Sequence, residues 1–147
     1  MKALPLILAL SACGPGAIYE QQVVVIWHDD GGMVHEYVAA MRKIKREGRR
    51  VEIRGRCSSA CTVNLHLAEQ VCVAPDARIG FHGSNFGLGS LPEGSLKYTM
   101  DMEIGQWLPE PLRSIYEDEW RHNGLFAYEW LTGADVHNLT GIAMCHK

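Results

Sequence analysis

From Gln22 to Trp27 the chain reads QVVVIW, a continuous β-branched run that predicts a buried strand. The run stops at His28-Asp29-Asp30-Gly31-Gly32, a strong turn signal. Val34, Tyr37, Val38, Met41 and Ile44 then recur at helical spacing, with Arg42, Lys43, Lys45 and Arg46 around them. That pattern predicts an amphipathic helix whose basic last turns suit the helix dipole, closed by Gly48. Arg50 to Arg54 alternates apolar and polar and reads as a second strand. Strand, helix, strand in this order predicts a right-handed parallel unit.

Beyond Gly55, the cluster Cys57-Ser58-Ser59-Ala60-Cys61 offers Ser58 or Ser59 as the cap of a helix running to about Glu69. The helix is apolar nearly all round, which predicts burial. Val71 to Val73 and Ala77 to Phe81 read as short strands separated by the Pro75-Asp76 turn. His82-Gly83-Ser84-Asn85 opens a Gly-rich loop reaching Gly94, long enough to suggest a functional role. Leu112 to His122 reads as a polar helix. Thr132 caps a short helix over Ala134 to Leu139, and Ile142 to Cys145 reads as a last strand.

With 147 residues, 47% apolar and 21% charged, one soluble domain is expected. The formal charge of −3 and the lack of a basic block argue against a nucleic-acid partner. The first residues form a separate segment. Met1-Lys2, a short apolar run from Ala3 to Leu10, and then Leu10-Ser11-Ala12-Cys13 read as a secretory signal. The last four resemble a bacterial lipobox, which implies cleavage before Cys13 and lipid on that cysteine. The expected organisation is a signal over 1–12, a tether over 13–21 and one domain over 22–147. The protein would face the periplasm from a lipid anchor on a membrane of the cell envelope. Cys57, Cys61, Cys72 and Cys145 remain, an even number that suggests disulfides with three possible connectivities. Pairing Cys57 with Cys61 is unusual at that spacing, and joining either to Cys72 is easier to build. Zinc on these cysteines and His66 would match no common module.

Two features carry candidate chemistry. One is the Gly-Gly turn after a buried strand. The other is a serine at the start of a buried helix, followed by His82 at the end of a later strand. A serine hydroxyl needs a base to become a nucleophile, and histidine titrates near neutrality. A helix N-terminus holds the hydroxyl rigidly and turns free N–H groups towards developing negative charge. Glycines let backbone N–H groups approach a substrate carbonyl. His28, Asp29 and Asp30 read either as a polar turn or as contacts to substrate or a cation.

The stretch from Val23 to about Ser84 resembles the Clp protease proteolytic subunit, within the Clp/crotonase superfamily. Three landmarks carry the likeness: VVVIWHDDGGMVHEYVAAMRKI, VEIRGRCSSACTVNLHLA and VCVAPDARIGFHGS. Bacterial periplasmic Clp-like proteins share the Cys-x-Ser-Ala-Cys and Gly-Phe-His patterns. The resemblance implies an α/β fold of stacked βαβ units with a mainly parallel sheet. It places Ser59 on the nucleophile, with Ser58 as the alternative, and His82 on the base. The backbone N–H groups of Gly32 and Ala60 would form the oxyanion hole. The implied reaction is acyl transfer to Ser59 and hydrolysis of a peptide or small amide, with no metal or organic cofactor. Two departures stand out. Asp29-Asp30 replaces the family's Ser-Pro. The run from Leu131 to Met144 puts Met144, not an acid, at the family's third position, leaving Asp135 and Asp118 as candidates. Trp107, Trp120, Trp130, Tyr116, Phe126 and Tyr128 make the C-terminal half aromatic. Most are expected in the core, with some available for a groove or for a contact between copies in a homo-oligomer.

Overall fold

A computed structural model describes residues 22–84 and 95–146. The signal segment, Cys13, the tether and most of the Gly-rich loop lie outside the described residues. The elements in order are β1 (Val23–Asp29), α1 (Val34–Arg46), β2 (Arg50–Ser58), a 3₁₀ helix (Ser59–Gln70), β3 (Val71–Val73) and β4 (Arg78–Phe81). They continue with α2 (Leu96–Gly105), α3 (Leu112–Asp118), a 3₁₀ turn (Trp120–His122), β5 (Glu129–Thr132), α4 (Gly133–Thr140) and β6 (Ala143–Met144). No described helix is long and apolar enough to cross a membrane.

The protein is α/β with a mostly parallel six-stranded sheet in the order β5-β4-β2-β3-β6, and β1 lies beside β2. β2 organises it. Along one edge it pairs with β1 in parallel, Val23 opposite Arg50 and Asp29 opposite Cys57. Along the other, Val51–Ile53 pairs with β3 and Arg56–Ser58 pairs with β4. β3 and β4 thus run one after the other along the same neighbour, and the turn at Ala74–Ala77 jogs the chain between them. The jog frees β3 to pair with β6 and β4 to take antiparallel β5 on its far side.

On α1, Val34, Val38 and Met41 form the buried stripe and Arg42, Lys43, Lys45 and Arg46 stay outside. That stripe packs on the Ser59 helix, whose Ala60–Leu65 and Leu67 are all buried. Its buried polar side chains are satisfied locally. Thr62 Oγ1 donates to Ser59 O at 2.7 Å, and Asn64 Nδ2 to Cys61 O at 2.9 Å. Val51 and Ile53 of β2, Ile79 and Phe81 of β4, and Leu112 and Tyr116 of α3 complete the core.

Disulfides join Cys57 to Cys61 and Cys72 to Cys145. The pairing across to Cys72, easier to build on sequence grounds, is not the one adopted, and the register explains why. Cys72 lies opposite Glu52, so Cys57 stands five residues further along β2, about 16 Å away at strand rise and beyond disulfide reach. Cys72 also lies opposite Ala143, which brings Cys145 alongside.

Two elements were not expected from the sequence, α2 and β5. The aromatic half is also less buried than expected: Tyr116 is core, Tyr128 and Trp130 are half-buried, and Phe126 is 87% exposed.

Candidate active site

The parallel register brings three segments to one end of the sheet. Asp29 lies opposite Cys57, and Ser58 lies opposite Gly80. The chain therefore leaves β1 through Gly31-Gly32, β2 through Ser59 and β4 through His82 side by side. Ser59 opens its helix with φ +57°, a left-handed conformation that costs a serine about 1–3 kcal/mol. The strain is held in place on both sides. The Cys57–Cys61 disulfide spans the turn, with Cα atoms 5.5 Å apart. Gly31, at φ +81°, presses against it: a Cβ there would lie 2.7 Å from Ala60 N and 2.8 Å from Ser58 O. Only glycine fits that approach.

The Gly31 turn is built by Asp29. Its Oδ1 accepts from Gly31 N at 2.9 Å and from the Tyr37 hydroxyl at 2.6 Å. Burial and the Asp29 carboxylate push the Tyr37 hydroxyl up to about 12, so it remains a donor. Asp30 accepts from Arg56 at 2.8 Å, pairs with His28 at 3.0 Å and accepts from Ser58 Oγ at 3.4 Å. His28 and Arg56 hold its carboxyl below the usual range. Asp29 and Asp30 thus shape this turn, and the His28–Asp30–Arg56 group is an exposed polar cluster beside it. Gly31 N is engaged by Asp29, whereas Gly32 follows the tight contact. Ala60 N lies within that contact, and its N–H belongs to the first turn of a helix, which lacks an intrahelical acceptor.

The two serines differ in setting. Ser58 is 1% exposed and ends β2 against Gly80, whereas Ser59 is half-buried at the turn. His82 is buried and stands just past the end of β4. Its Nδ1 lies 2.8 Å from Gly83 O, an arrangement that assigns the proton to Nδ1 and leaves Nε2 as an acceptor. Nε2 is buried and has no hydrogen-bond partner among the described residues. Burial lowers the affinity of His82 for a proton, partly offset by the bond to Gly83 and by the charge of Asp101. The Tyr128 ring packs against the imidazole at 4.5 Å between centroids and stacks in turn on Trp130, which carries the Arg78 guanidinium.

Neither acid suggested by the sequence is brought to His82. Asp135 is tied into the capping box of α4, accepting from Thr132 N at 2.8 Å and from its hydroxyl at 2.6 Å. Asp118 is exposed at the end of α3. The carboxylate that acts on His82 is Asp101 of α2, 2% exposed, which accepts from Ser84 N at 2.8 Å. Burial raises its carboxyl above the ordinary range, against the lowering effect of Ser84, His82 and Arg121. Asp101 stands three residues before buried Ile104 on the inward face of α2, a helix whose weak apolar face the sequence does not announce.

Among the described residues no three His, Cys, Asp or Glu side chains gather as a metal site would require. No protein-family model matches the chain, and no curated protein matches it.

Proposed function

We propose that the protein is an exported, lipid-anchored serine hydrolase with a Clp/crotonase-like architecture, acting on a peptide or small amide. The observation that carries this reading is that three parts lie at the same end of the sheet. They are a strained serine at a helix start, a glycine backbone pressed against it, and a buried histidine whose Nε2 is free to accept. Strain at a non-glycine residue is a recurrent mark of functional sites.

In this reading Ser59 Oγ attacks the substrate carbonyl carbon and its proton passes to His82 Nε2. The developing oxyanion is met by the N–H groups of Gly32 and Ala60. The C–N bond then breaks, His82 returns the proton to the leaving amine, and an acyl ester remains on Ser59. Water, deprotonated by His82, hydrolyses that ester and restores the serine. Lipid on Cys13 would hold this chemistry at an envelope membrane. A binding role without turnover is favoured by one observation, the lack of a hydrogen bond at His82 Nε2. Catalytic hydrogen bonds are often long before substrate arrives, so hydrolysis is the better reading.

The test is covalent labelling of the purified protein by a fluorophosphonate. Wild type and Ser58→Ala are expected to label, and Ser59→Ala and His82→Ala are not. A folded wild type that does not label would leave the binding role.

A further inference from the structure

We propose that Asp101 is the orienting acid of this site and that it acts on His82 through the Gly83–Ser84 peptide group. The proposal rests on the serine-hydrolase reading. His82 Nδ1 is 2.8 Å from Gly83 O, and Ser84 N donates to Asp101 Oδ1 at 2.8 Å. Gly83 C=O and Ser84 N–H are the two ends of one planar peptide. Imidazole, peptide and carboxylate therefore form a single chain of hydrogen bonds. A carboxylate accepting from the N–H polarises the peptide and makes its carbonyl oxygen a stronger acceptor. The result is a fixed Nδ1–H tautomer, an Nε2 lone pair ready for the serine proton, and an imidazolium stabilised once that proton arrives.

The surroundings hold the relay rigid. A Cβ on Gly83 would fall 2.0 Å from Arg121 O and 2.8 Å from Asn123 O, so the peptide is wedged against that backbone. The Tyr116 hydroxyl, from α3, donates to His82 O at 3.2 Å. The groups facing the imidazole and its relay are Asp101 from α2, Tyr116 from α3, Tyr128 ahead of β5, and Arg121, whose charge acts on Asp101 and Tyr116. Asp101 supplies the negative charge that raises the affinity of His82 for a proton. It touches neither substrate nor reacting atoms and is a positioning residue. Through an intervening peptide its loss should resemble loss of an outer-shell partner, about 10–100-fold, rather than the about 10⁴-fold of a directly bonded acid.

The experiment measures the rate of fluorophosphonate labelling against pH. Asp101→Asn, close in shape, is expected to lower the plateau rate by about 10–100-fold. It should also move the acid limb to lower pH, because His82 loses the charge that favours its protonated form. Asp101→Glu, which keeps the charge, should hold the limb near its wild-type position. If Asp101→Asn labels like wild type while Ser59→Ala and His82→Ala do not label, the relay is wrong and the hydrolase reading stands. A slower rate with an unmoved acid limb also overturns the relay, since packing alone would do that. If Ser59→Ala labels like wild type, the hydrolase reading itself falls and the relay with it. Should the Asn variant react too slowly to profile, the His82 imidazole can be titrated by NMR in Ser59→Ala, with and without Asp101→Asn. An unchanged midpoint there rejects the relay.

Discussion

Gly31 and Gly48 separate two uses of glycine and make the strain at Ser59 testable. Both have positive φ, +81° and +63°, but a Cβ on Gly48 would meet nothing within 4 Å, whereas one on Gly31 would strike the Ser58–Ala60 backbone. Gly48→Ala should therefore cost only its backbone strain, about 1 kcal/mol, and leave labelling unchanged. Gly31→Ala carries the same strain plus a collision that must displace Ser59 or the Gly31 turn, so it should cost more and reduce labelling at least about 10²-fold, as small misplacements do. Melting curves and labelling rates of the two variants check this, and equal labelling would mean the contact does not hold the serine. At this scale Ser59, His82 and the Gly-Gly turn were legible because each ends or begins a strongly patterned element. Asp101 was not, because its partner is a backbone N–H distant in sequence. Asp29 and Asp30 were legible as a turn, but their hydrogen bonds to Tyr37 and Arg56 depend on tertiary placement.

Among the elements, those that the periodicity resolves were readable: the stripe of α1 and the apolar helix after Ser59. β1 was readable as a strand but not, as its β-branched run predicted, as a buried one: among the described strands it pairs with β2, and Val23, Val25 and Trp27 are 44%, 43% and 67% exposed. α2 and β5 were not readable. α2 has only a weak apolar face, and β5 is a four-residue strand whose pairing with β4 supplies an order that its own sequence does not. Cysteine pairing was open for the same reason, since it follows from strand register rather than spacing. The two disulfides then do different work. Cys72–Cys145 ties β3 to the segment after β6 across 73 residues, and the chain-entropy relation assigns it about 4 kcal/mol. Cys57–Cys61 closes a much shorter ring, worth about 2 kcal/mol by the same relation, but that ring contains Ser59. The double substitution Cys72→Ser/Cys145→Ser should lower the melting temperature more and leave the labelling rate of the remaining folded protein unchanged. Cys57→Ser/Cys61→Ser should melt closer to wild type yet label more slowly. The reverse ranking would show that the short disulfide is architectural and the serine turn self-supporting.

For the molecule as a whole, the site at the sheet end sets buried charge against stability, and pH exposes the conflict. The folded state lowers the affinity of His82 for a proton through burial. Its contribution is fully present above the unfolded value of about 6.5 and is lost as pH falls through the lower folded value. Asp101 works in the opposite sense. Burial raises its carboxyl above the 3.8 of a free aspartate, so its contribution is fully present below that value and is lost as pH rises through the folded one. Burial thus disfavours the charged form of Asp101, a charge that folding alone would not select. Asn at 101 can still accept from Ser84 N while removing that charge. Asp101→Asn is therefore expected to be at least as stable as wild type at pH 7, with the advantage vanishing in acid below the aspartate range. Denaturant titrations of both proteins at the two pH values test it. An Asn variant that is less stable at pH 7 would mean that the carboxylate is held by more than Ser84 N, and that the charge serves the fold. A variant more stable and slower to label would place Asp101 among residues kept for chemistry against the interest of the fold.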